Sequence, residues 1–131
     1  MRCIALLLGL MVMAPAALAG HHGSASFDTS RQVTLTGTVT EWIWANPHCF
    51  LKIDAKDETG GVRNWALETQ NPIAMTQRGW SRNAFKVGDQ VTIVLEAVKN
   101  GAPIGRIVNV KLPDGSRLDA GALPTTPPAG Q

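Results

Sequence analysis

The sequence predicts an all-β protein: a small, OB-like five-stranded barrel with a short helix between its third and fourth strands. Three observations lead there. A long segment alternates apolar and polar residues around a central glycine, as a strand bent into a small barrel requires. Strand patterns then follow in the order three, a helix signal, and two more. Turn residues stand at the junctions, and five strands are too few for the usual sandwich.

The first strand is read from VTLTGTVTEWIW at residues 33–44. Strict alternation puts Val33, Leu35, Val39 and Ile43 on one face, with Thr34, Thr36, Thr38, Thr40, Trp42 and Trp44 on the other. Gly37 marks a place to bend or bulge. Asn46-Pro47 stops the strand, and a second one over residues 48–56 sets Cys49, Leu51, Ile53 and Ala55 against His48, Phe50, Lys52 and Asp54. Glu58-Thr59-Gly60-Gly61 forms a turn into the third strand, residues 62–69, where Trp65 and Leu67 alternate with Asn64 and Glu68.

Asn71-Pro72 has the form of a helix N-cap followed by proline at the first helical position, where its missing N–H costs nothing. The helix is expected to reach Arg78 and close at Gly79. Ser81 can cap a further turn through Phe85, and Trp80 and Phe85 are candidates to plug one end of the barrel. The fourth strand, residues 90–98, carries Val91, Ile93 and Leu95 on one face. Asn100-Gly101 turns into the fifth strand, residues 104–112, and Pro113-Asp114-Gly115 is read as the close of the ordered part.

Around this domain, residues 33–118, the reading places a signal peptide at 1–19, a leader at 20–32 and a disordered tail at 119–131. Arg2, an apolar run at residues 4–12 and Ala17-Leu18-Ala19 make the three parts of a secretory signal, and the apolar run is too short for a permanent membrane span. The chain is therefore expected in the periplasm or outside the cell. Removing 19 residues from 131 leaves 112, with one cysteine, Cys49, and hence no intrachain disulfide. Losing Arg2 leaves 11 basic against 10 acidic residues, a balance that gives no electrostatic case for binding nucleic acid or an anionic membrane.

The chemistry-bearing residues are few. Imidazole is the commonest protein metal ligand, and the three histidines fall at His21 and His22, beyond the expected cleavage point, and at His48. With Gly20 as amino terminus, its amine, two backbone nitrogens and the His22 imidazole can form a square-planar site for Cu(II) or Ni(II). With His21 as terminus, its amine and imidazole can clamp copper together with His48, the one distant imidazole. In the alternative reading the leader histidines are incidental and His48 finishes a turn. Trp42, Trp44 and Phe50 form a second candidate surface, able to stack a small organic ligand or a partner protein, or else to pack at the barrel mouth. Cys49 and His48 adjoin but point to opposite strand faces, which argues against a thiol nucleophile. No catalytic constellation stands out, so the expectation is a binding protein and not an enzyme.

His21-His22 with Ser24 and Phe27-Asp28, TLTGTVTEW at residues 34–42, Asn46-Pro47-His48, Asn64-Trp65-Ala66, Arg78-Gly79-Trp80 and LPDGSRL at 112–118 resemble a family of small exported bacterial proteins of unknown function. The resemblance implies a signal peptide and a compact β-rich domain, and it brings no activity or catalytic residue. Gly23 is a local departure, since the family pattern has His-His-Ser.

Overall fold

The computed structural model describes residues 27–57 and 59–121. The elements are β1 (Val33–Ile43), β2 (Phe50–Lys56), β3 (Val62–Glu68), α1 (Pro72–Thr76), β4 (Gln90–Ala97), β5 (Ile104–Lys111) and β6 (Arg117–Asp119). The sheet runs β3-β2-β1-β4-β5-β6, and a parallel pairing of β3 with β5 closes five of these strands into a barrel. The expected fold class and the helix between the third and fourth strands are both present.

β1 is paired on both sides, with β4 along its first half and with β2 along its second. Residues 33–38 pair with β4 and residues 37–43 with β2, so Gly37 is bonded to neighbours on both sides. A Cβ at Gly37 would lie 2.5 Å from the Asp54 carbonyl oxygen, a close approach that only glycine permits. The bulge itself lies three residues further on: Val39 pairs with Ile53 and Glu41 with Lys52, leaving Thr40 unpaired.

The unpaired Thr40 corrects the expected faces of β1. One extra residue reverses the alternation, so Trp42 stands opposite fully buried Leu51 and turns to the core side. Ile43, expected inside, pairs with Phe50 on the outer face. Upstream and across the barrel the faces are as expected: Val39, Leu51, Ile53, Leu67, Val91, Ile93 and Leu95 are all buried.

Asn71 caps α1, its Oδ1 accepting the Ala74 N–H at 3.0 Å. The regular helix is shorter than expected, yet the chain closes at the expected glycine. Gly79, with φ +84°, donates to the Thr76 carbonyl and Trp80 donates to the Met75 carbonyl, the paired bonds of a Schellman motif. That turn seats Trp80 in the barrel end, where it is 1% exposed beside buried Phe85 and Met75. Trp80 and Phe85 are thus the plug, with ring centroids 5.6 Å apart.

β6 lies in a segment that the sequence reading placed beyond the ordered strands. A turn held by Asp114, whose Oδ1 accepts from the Ser116 N–H and hydroxyl, folds β6 back antiparallel to β5. Asp119, Ala120 and Gly121, assigned above to the tail, belong to the fold: the Asp119 carbonyl accepts the Trp80 indole N–H at 2.9 Å, and Ala120 is buried. At the other terminus Phe27 is 3% exposed and bridges Val98, so the last part of the leader is docked on the barrel.

Candidate functional site

His48 sits just before β2, at the barrel end that holds α1, and its side chain is 40% exposed. Its Nδ1 lies 2.9 Å from the Thr69 carbonyl oxygen and 3.1 Å from Glu68 Oε1. Both partners are acceptors, so Nδ1 carries the ring proton and a neutral imidazole presents its lone pair at Nε2. Glu68 is in turn fixed by its place at the end of β3, opposite Phe50, with its side chain only 13% exposed. A carboxylate and a backbone carbonyl thus orient a half-exposed imidazole, an arrangement that metal-ligating histidines share.

Glu68 is register-paired with Arg106 of β5, and paired residues on neighbouring strands project to the same face. Arg106 is 8% exposed, forms an ion pair with Glu96 through its Nε at 3.1 Å and through its terminal nitrogen, and carries the Phe27 ring 5.1 Å from its Cζ. The ordered end of the leader therefore rests on the strand that adjoins the Glu68–His48 pair. His21 and His22 lie outside the described residues. Among the described residues no group of three or more His, Cys, Asp or Glu is placed to hold a metal ion.

The aromatic candidates divide. Trp42 is half-buried within a cluster, 5.0 Å from Phe85, 5.9 Å from Trp80 and 5.6 Å from Trp44 by ring centroid, and its indole N–H donates to the Ser81 carbonyl at 3.1 Å. These contacts place Trp42 in the aromatic cluster at the filled end of the barrel. Trp44 is half-buried against the same cluster, while Phe50 keeps its expected outer face. Cys49 is fully buried opposite in sense to His48, and burial pushes its thiol pKa up, so the pair forms no nucleophile.

One further feature was absent from the sequence reading. Where β1 begins, β2 ends, β3 begins and β4 ends, the barrel opens into a cleft of about 660 Å³ lined by Arg31, Lys56, Arg63, Lys99 and Trp65 among others. The cations are scattered through the sequence, and only barrel closure gathers them, so neither spacing nor composition signalled the cluster.

No helix among the described residues is long and apolar enough to cross a membrane. The model of a family of unknown function, DUF6152, matches residues 8–107. No curated protein and no solved structure matches the chain.

Proposed function

The chain belongs to the DUF6152 family, whose function is unknown, and we propose that it is an exported binding protein, not an enzyme, which takes a Cu(II)-type ion at His48. One observation supports this reading: His48 Nδ1 is held by Glu68 and Thr69, which leaves Nε2 as the ring nitrogen to coordinate an ion. His21 and His22 supply the remaining nitrogens, with the amino terminus if cleavage leaves His21 first. Reach supports the set. His22 precedes Phe27 by five residues, an extended span of about 17 Å. Phe27 lies on Arg106, and Arg106 is one strand, about 4.8 Å, from Glu68. Export is supported by the signal-like residues 1–19.

A Cu(II) titration of the tag-free mature chain, read by calorimetry against a competing chelator, tests the reading. Wild type is expected to bind one equivalent. His48→Ala is expected to weaken binding by about 100-fold and Glu68→Gln by about tenfold, the first removing a ligand and the second its orienting partner. Affinity unchanged in His48→Ala would reduce the site to a leader peptide that holds copper without the barrel.

A second reading has Phe50, on the outer face, meeting a partner protein. It is favoured by the half-buried Ile43–Phe50 pair on the outer face. Crosslinking from position 50 tests it.

A further inference from the structure

We infer that the open mouth of the barrel is a second binding site, selective for a small organic anion with a planar apolar body. Four cations from four separate segments surround it: Arg31 before β1, Lys56 at the end of β2, Arg63 in β3 and Lys99 after β4. The ion pairs among the described residues are His48–Glu68, Lys52–Glu41 and Arg106–Glu96, so none of the four cations is neutralised by one. Arg63 donates to the Gly101 carbonyl at 3.2 Å and lies over the Trp65 ring at 5.9 Å, which fixes one guanidinium and one indole together in the wall.

Two carboxylates share the mouth, and each is turned to local use. Asp57 Oδ1 accepts from the Thr59 N–H, the Thr59 hydroxyl and the Gly61 N–H, closing the β2–β3 turn. Asp28 Oδ1 accepts from the Ser30 N–H and hydroxyl. Both carboxylates are held below their ordinary pKa, chiefly by these hydrogen bonds, with Lys99 and Arg31 acting on Asp28 and Arg63 on Asp57; the described cations still outnumber them two to one.

A further sign comes from Trp65. It is 8% exposed, and its indole N–H is buried without a hydrogen-bond partner among the described residues. Such an orphan donor is unfavourable, and an acceptor brought by a ligand would offset it. Leu35, Val33 and Val98 supply apolar wall beside it. A cleft of about 660 Å³ with an aromatic wall and a few converging cations has the dimensions and chemistry of a small-molecule pocket. The site shares no residue with the His48 site, so either can fail alone.

Fluorescence titration of the tag-free mature chain with two dyes tests it: 8-anilinonaphthalene-1-sulfonate, and N-phenyl-1-naphthylamine, which has the same rings without the charge. The expected result is one saturable site for the sulfonate, with the neutral dye weaker by about tenfold or more. Arg31→Gln combined with Lys99→Gln, and separately Lys56→Gln, should each weaken the sulfonate several-fold while leaving the neutral dye and the melting temperature unchanged. Equal binding of the two dyes, indifference to both sets of substitutions, or no saturable binding would overturn the proposal. So would displacement of the sulfonate dye by a short oligothymidylate at lower concentrations than by free benzenesulfonate, which would make the mouth a nucleic-acid groove.

Discussion

At the scale of single residues, neighbours in sequence lead different chemical lives. His48 and Cys49 adjoin, yet one is half-exposed and the other has no exposure at all. Burial is the main cause that raises the Cys49 thiol pKa, ahead of its contacts with Ala45 and Thr69, which lower it. The sign for stability follows. The unfolded thiol ionises near its ordinary value, and the folded one above that. The contribution of Cys49 is whole below that pH and is lost as pH rises through the folded value. As pH rises past the ordinary thiol range, stability of wild type is expected to fall faster than that of Cys49→Ala, measured by urea unfolding at each pH. An aromatic disulfide reagent should modify Cys49 only on unfolding. Fast modification of the native chain would mean that the thiol is reachable and its ionisation favoured.

At the scale of elements, β1 decides which side chains the barrel offers. Val33, Leu35 and Val39 could be placed from alternation alone, as could nearly every inward residue of β2, β3 and β4. Trp42 could not. A bulge leaves no mark in a run of alternating residues, because Thr40 is as acceptable unpaired as paired, and the reversal it causes is a tertiary fact. β6 was missed for a related reason: its three residues hold one apolar side chain, Leu118, too few to show a period. Asn71, Pro72 and Gly79, by contrast, each act through local backbone geometry, and the helix start and the glycine turn that closes it were readable from them, though the regular helix stops at Thr76. Gly37 is the sharpest test at this scale. Gly37→Ala would force its Cβ against the Asp54 carbonyl and is expected to cost about 2 kcal/mol in chemical denaturation. A loss below about 0.5 kcal/mol would show that β1 and β2 can part there without penalty.

At the scale of the molecule, the barrel has one end filled and one end open. Trp80, Phe85 and Met75 fill the first, and the cleft beside Trp65 is the second. Phe27 and the Arg106–Glu96 pair tie the leader to the wall between them. Glu96→Ala would leave the Arg106 guanidinium buried with its partner gone and is expected to cost about 3 kcal/mol. Phe27→Ala should cost a comparable amount and, by loosening the leader, weaken copper binding as well. Equal copper affinity in wild type and Phe27→Ala would separate leader docking from the metal site. The candidate site was half legible for the same reason. The residue types were visible as three histidines, but the carboxylate that orients His48 lies 20 residues away and meets it only through the β2–β3 pairing. The central claim is that His48 is a metal ligand. The most direct measurement is electron paramagnetic resonance of the tag-free mature chain with one equivalent of Cu(II), comparing wild type with His48→Ala. The account expects the nitrogen hyperfine pattern to lose one coupled imidazole nitrogen in the variant, and identical spectra from the two proteins would contradict it.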